Sequence, residues 1–68
     1  MASYYVNNNA QTNGDHEVHV EGCYWFSLMN NKTYLGEYYS CVPAVAKAKA
    51  YHRQTNGCKT CCPDCHTT

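Results

Sequence analysis

Cysteine is concentrated near the end of the chain, with one histidine beside it. The stretch from Asn56 to His66 reads NGCKTCCPDCH and holds four of the six cysteines in the 68-residue sequence. Thiolate sulfur and imidazole nitrogen are good zinc ligands, and thiols can also pair as disulfides or act as nucleophiles. Three kinds of chemistry are therefore open to this segment: metal binding, disulfide bonding and thiol reactivity.

Two short ligand pairs favour metal binding. Cys58 and Cys61 form a C-x2-C pair, and the tight turn between them can direct two sulfurs to one cation. The candidates for the other half are His19 and Cys23, an H-x3-C pair in which Gly22 lets the chain curl. Together these residues make a Cys3His set, which predicts a structural Zn2+ site.

The remaining cysteines and histidines have several open roles. The second-tier ligand candidates are Cys65, His66, Cys62, Cys41 and His16. A shift of register would let Cys62 or Cys65 replace Cys61, and Cys41, Cys62, Cys65 and His66 could form a second zinc site or stay free. Cys41 could equally be a buried small residue or a reactive thiol. His16 is expected to be a partly exposed strand histidine.

Strands and one helix must position these groups. Strands are predicted at residues 3–6, 16–20 and 33–39, and His16–Val20 alternates as a half-buried strand does. The most apolar run, residues 23–29, is expected to supply core. Polar, turn-forming residues follow the first strand, so residues 1–15 are expected to be partly flexible.

A helix is predicted over about residues 41–53. Ser40 is a suitable N-cap and Pro43 falls in the first turn, where proline is tolerated. Its inner stripe is predicted to be Cys41, Ala44, Val45, Ala48, Tyr51 and His52. The fold class predicted is α+β: a single domain over residues 1–68, with a small antiparallel sheet and one main helix held by zinc.

Composition argues against several classes of partner. Five basic and five acidic residues give a net charge of zero, so the chain has no general field for nucleic acid or an anionic membrane. The sequence shows neither a secretory signal nor a membrane-spanning run, which predicts a cytoplasmic protein. A reducing compartment favours metal thiolates over disulfides.

The order of the motifs resembles the metal-binding domain of the bacterial Ada DNA-repair protein and its short relatives. The resemblance covers residues 16–63: H-x3-C, the strand YLGEYY, the alanine-rich AVAKAKA and then GCKTCCP. It implies a compact α/β domain with one zinc ion joining both halves. The chain is also similar to small uncharacterised bacterial proteins with DHEVH, YLGE and a C-x3-CH ending, which brings no known function.

One position departs from the Ada pattern at its reactive residue. In that family the first cysteine of the first pair accepts a methyl group from a DNA phosphotriester, and the matching position here is His19. An imidazole cannot perform that thiolate's role, and the basic surface for DNA is missing. The resemblance therefore does not extend to repair activity.

These observations favour a small zinc-binding protein that serves as a binding or interaction module. No paired acid and base stand near the cysteines, so an enzyme is not expected. The partner would be a protein of unknown identity, and the sequence does not indicate the oligomeric state. Two alternatives stay open: a reactive-thiol protein acting as an oxidant or alkyl acceptor, and a secreted mini-domain with three disulfides.

Overall fold

The computed structural model describes residues 1–67, which form a four-stranded sheet and one α-helix. The elements are β1 (Ala2–Asn7), β2 (His16–Val20), β3 (Lys32–Tyr38), α1 (Cys41–Ala48) and β4 (Thr55–Gly57), with 3-10 helices at Tyr24–Leu28 and Pro63–Cys65. The predicted α+β class is confirmed. Within residues 1–67, no helix has the length and apolar character needed to cross a membrane.

The strand order in the sheet is β3-β1-β2-β4. β1 pairs antiparallel with both β2 and β3, as the sequence predicted for these three strands. β4 pairs parallel with β2, so the sheet is mixed. β1 lies within the segment expected to be partly flexible, yet it is one of the two inner strands.

β4 was not predicted from the sequence, which indicated no strand after the helix. Asp15, which is buried, holds this segment against β2: its carboxylate accepts hydrogen bonds from the side chains of Gln54 at 2.7 Å and Asn56 at 3.2 Å. The amide of His16 also donates to the Gln54 carbonyl at 2.9 Å. Tertiary hydrogen bonds thus override a local preference for a turn.

The core lies between the sheet and α1, which packs across all four strands. Its buried members are Tyr4, Val6, Val18, Leu35, Cys41, Ala44, Ala48 and Cys62. The inner positions predicted for the first two turns of the helix, Cys41, Ala44 and Ala48, are confirmed as buried. The predicted N-cap is confirmed as well, since the Ser40 hydroxyl accepts from the Val42 amide at 3.3 Å.

The helix is shorter than predicted. It ends at Ala48 instead of Arg53, and the amides of Tyr51 and His52 both donate to the Ala48 carbonyl in a closing turn. Tyr51 is half-exposed, so it does not extend the inner stripe. The chain must leave the helix early because residues 54–57 run back along β2.

The apolar run at residues 23–29 does not supply core as expected. Residues Tyr24–Leu28 form a 3-10 helix without a buried residue, and Tyr24, Trp25 and Leu28 are exposed. Of this run only Met29 is buried. The prediction was wrong because α1 covers the face of the sheet that carries Tyr4 and Val6, whereas Phe26 packs on Tyr5, which alternates with them.

Candidate metal centre

His19, Cys23, Cys58 and Cys61 converge into a group that could hold a metal ion. One ligand atom from each residue lies within 4.8 Å of the other three. His19 Nδ1 and Cys61 Sγ are 3.7 Å apart. Typical Zn–S and Zn–N bonds in a tetrahedron place such a pair about 3.6 Å apart. The spacing therefore fits a tetrahedral ion, and a small contraction would bring in the more distant pairs.

Parallel pairing of β2 and β4 places half of this group. The register aligns Val18 with Gly57, so His19 and the residue that follows β4, Cys58, fall side by side. The Cys58 amide donates to the Val18 carbonyl at 3.0 Å and extends the ladder to the ligand itself. A strand pair that the sequence did not reveal thus joins the two predicted ligand pairs.

Gly22 brings Cys23 back towards His19. Its φ of +96° is a conformation that L side chains rarely adopt. The Cys23 amide donates to the Val20 carbonyl at 3.0 Å, which closes the turn at the end of β2. The chain therefore curls at the glycine as the sequence analysis expected.

The C-x2-C turn is fixed by its own backbone and by a glycine. The Cys62 amide donates to the Cys58 carbonyl at 2.7 Å across the turn. A Cβ on Gly57 would lie 2.6 Å from Cys65 Cβ and 2.9 Å from the Cys62 carbonyl oxygen. Only glycine allows the following segment to pack so closely, and this approach holds Cys58 at the mouth of the turn.

Burial sets the protonation of the ligands. His19 is 3% exposed, and burial lowers the pKa of its imidazole, which favours the neutral form that binds metals. Burial raises the pKa of the Cys61 thiol, which also lies within hydrogen-bonding reach of Cys23 and Cys58. Thiolates in such a site need a cation to offset their desolvation. A bound cation would therefore be needed to hold these cysteines as thiolates.

Glu17 lies behind His19. Its Oε1 is 3.5 Å from His19 Nε2, while His19 Nδ1 faces Cys61. With a metal on Nδ1, the Nε2–H group would point to the carboxylate, an arrangement that fixes the tautomer and strengthens the imidazole as a ligand. Sequence reasoning missed this role, although Glu17 and His19 share one face of a strand by the period of two.

Cys41 and Cys65 are joined in a disulfide with a Cα–Cα distance of 6.3 Å. This contradicts their candidacy as metal ligands, the second zinc site and the expectation that the cysteines stay reduced. Spacing gave no signal for the pairing, since six cysteines allow 15 connectivities. The bridge ties the start of α1 to the segment that packs on Gly57.

The other second-tier candidates also lie outside the ligand group. Cys62 is 2% exposed in the core, and burial raises the pKa of its thiol. His66 Nδ1 donates to the Gly57 carbonyl at 3.0 Å. His16 is partly exposed, as predicted; it stacks on His52 with ring centroids 3.8 Å apart and donates from Nδ1 to the Asn7 carbonyl at 3.0 Å.

Comparisons with protein-family models, with curated proteins and with solved structures found no match to this chain.

Proposed function

We propose that the chain is a small zinc-binding module in which His19, Cys23, Cys58 and Cys61 hold one structural Zn2+. The observation that carries the proposal is the convergence of two short ligand pairs from distant parts of the chain. Zinc is the metal that best suits three thiolates and one imidazole in a tetrahedron. All four positions are supplied by the protein, as in structural sites.

The ion would add its binding energy to the folding of a small domain. A chain of this length buries too little apolar surface to be very stable alone. The metal would fasten the turn after β2 to the turn after β4, across the parallel strand pair that closes the sheet. Zinc-binding energy then doubles as folding energy.

The module would act by binding a partner. Tyr24, Trp25 and Leu28 are exposed beside the centre, and exposed aromatic residues are typical of recognition surfaces. The resemblance to the Ada metal-binding domain, in which two ligand pairs in the same order hold one zinc ion, also supports this proposal. His19 in place of the nucleophilic cysteine argues for a metal that holds the fold and against methyl transfer.

The two alternatives have less support. A reactive-thiol protein needs an accessible thiol of low pKa, whereas burial raises the pKa of Cys62, and Cys41 and Cys65 are oxidised to a disulfide. A mini-domain with three disulfides would use all six cysteines, whereas Cys23, Cys58, Cys61 and Cys62 are free thiols.

Neighbouring cysteines provide a matched test. Native mass spectrometry of the wild-type protein should show one zinc ion. Cys61→Ala should lose it, and Cys62→Ala, one residue away in the core, should keep it. Addition of a chelator to the wild-type protein should collapse the amide dispersion in its NMR spectrum. Retained dispersion after the metal has been removed, or a Cys61→Ala variant that still binds zinc as the wild type does, would overturn the proposal.

A further inference from the structure

A cavity of about 360 Å³ opens beside the metal centre. Trp25, Leu28 and Met29 supply its apolar surface, and the polar lining includes Glu17 and Lys59. Its volume falls within the range of small-molecule and side-chain pockets. The ligands His19 and Cys58 also line it, so the cavity and the proposed zinc site share a wall.

Two of the three apolar residues, Trp25 and Leu28, are exposed, and Trp25 is also held in place. Trp25 is 45% exposed and Leu28 is 56% exposed. The indole Nε1–H of Trp25 donates to Thr60 Oγ1 at 3.2 Å, which ties the ring to the turn between Cys58 and Cys61. An exposed indole fixed in this way is available to a ligand in the cavity, and indole is the best aromatic partner for a cation.

Glu17 brings a negative charge to the lining of the cavity. The Glu17 side chain is only 15% exposed and faces His19 through Oε1. Three thiolates and Zn2+ would sum to one further negative charge. The lining also includes a cationic residue, Lys59, which is exposed to solvent and therefore more strongly screened. A ligand that brings a positive charge to Glu17 and an apolar stem to Leu28 would match this lining.

We propose that the cavity binds a guanidinium group carried on an apolar stem, the group that ends an arginine side chain. The planar cation can donate two hydrogen bonds to the Glu17 carboxylate, and it can also stack on Trp25. This proposal rests on the proposed zinc site only for the extra negative charge. The cavity, Glu17 and Trp25 are independent of it.

The probe is butylguanidine, titrated into the full zinc-loaded chain. Trp25 is the only tryptophan in the sequence, so its fluorescence and its indole N–H resonance report on this cavity. Butylguanidine should give a saturable change, and butylurea, of the same shape without the charge, should give none at equal concentrations. Equal binding of the urea would overturn the proposal.

Two variants, one that removes a negative charge and one that removes a positive charge, sharpen the test. Glu17→Gln should weaken butylguanidine binding about tenfold or more, since the carboxylate loses its charge and one of its two acceptor oxygens. Lys59→Gln should tighten binding about twofold by removing a screened repulsion. Glu21→Gln is the matched control, because Glu21 is exposed and does not line the cavity. Equal effects of Glu17→Gln and Glu21→Gln would contradict the proposal.

A peptide probe distinguishes the two possible sources of the guanidinium group, a protein partner and a free small cation. Acetyl-Gly-Arg-Gly-amide, with citrulline in place of arginine as its control, presents the same group on a peptide. Tighter binding of this peptide than of butylguanidine indicates a protein partner, and equal binding indicates a free small cation; both support the guanidinium site.

Zinc content is followed in every sample by native mass spectrometry, with excess zinc added to Glu17→Gln. A wild-type chain that holds zinc but binds no butylguanidine overturns the cavity proposal alone. A chain that binds butylguanidine but no zinc overturns the proposed function alone.

Discussion

His19 connects the sheet to the candidate metal centre. Its backbone belongs to β2, its Nδ1 faces Cys61 and its Nε2 faces Glu17. The position of β2 and the charge of Glu17 therefore both affect the ligand group through His19. A change at Glu17 tests the second of these contacts.

Glu17→Gln should lower the affinity for zinc about tenfold. This is the lower end of the range found when a group that accepts the other ring N–H of a metal-bound histidine is changed. The amide oxygen can still accept from His19 Nε2, so the loss measures the charge. Competition with a chromophoric chelator gives the affinity. Glu21→Gln should bind zinc as the wild type does, and a similar fall in that variant would show that the effect comes from general electrostatics.

The imidazole of His52 should titrate below pH 6.5. Burial and the neighbouring His16 both lower its pKa, and burial is the larger cause. The unfolded chain therefore takes up a proton first as the pH falls below about 6.5. The stability contributed by neutral His52 is fully present above that pH and is lost as the pH falls through the lowered pKa of the folded protein.

NMR titration of the His52 ring proton checks this, with His16→Asn as the comparison. Removing His16 should raise the pKa of His52 part of the way towards its ordinary value. A wild-type pKa at or above 6.5 would contradict the prediction.

Among the elements, β4 shows what the sequence could not reveal. The ligand pairs were predictable because each is local: a C-x2-C turn and a strand end that curls at Gly22. Residues Thr55–Gly57 carry turn-forming side chains and become a strand only through β2 and Asp15. Long-range pairing of this kind leaves no periodicity in so short a segment.

The helix illustrates the same division between local and distant causes. Its start was predictable because Ser40 caps it through a contact two residues away. Its end depends on where β4 must begin, and the disulfide at its first residue depends on the position of Cys65 in space. Local signals therefore fixed one end of the element and tertiary contacts fixed the other.

Removal of the disulfide should weaken the fold and leave the proposed zinc site occupied. Cys41→Ala/Cys65→Ala should lower the free energy of unfolding by about 3.5 kcal/mol, the loop-closure value for the observed separation of 24 residues. Urea denaturation of the zinc-loaded protein measures the change. Native mass spectrometry should still find one zinc ion, and its loss would show that these cysteines belong to the ligand set after all.

The whole molecule should respond to zinc through its melting temperature. If only the folded chain binds zinc, free zinc at a thousand times its Kd adds about 4 kcal/mol to the free energy of unfolding. For a domain of this size each kcal/mol shifts Tm by roughly 4–8 °C, so the total shift should exceed about 15 °C. Calorimetry over a series of zinc concentrations tests this. The Tm of Cys61→Ala should not change with zinc concentration, and a wild-type Tm that is independent of zinc would contradict the prediction.

The parallel pair of β2 and β4 also determines when the protein can fold during its own synthesis. β1, β2 and β3 can pair as they leave the ribosome, but His19 and Cys23 must wait for a strand and a helix to be translated before Cys58 and Cys61 arrive. Until then the first two ligands have half of a coordination shell and β2 has an open edge. Residues 55–61 are therefore made after the other elements that they join, and the proposed zinc site is complete only when synthesis has passed Cys61.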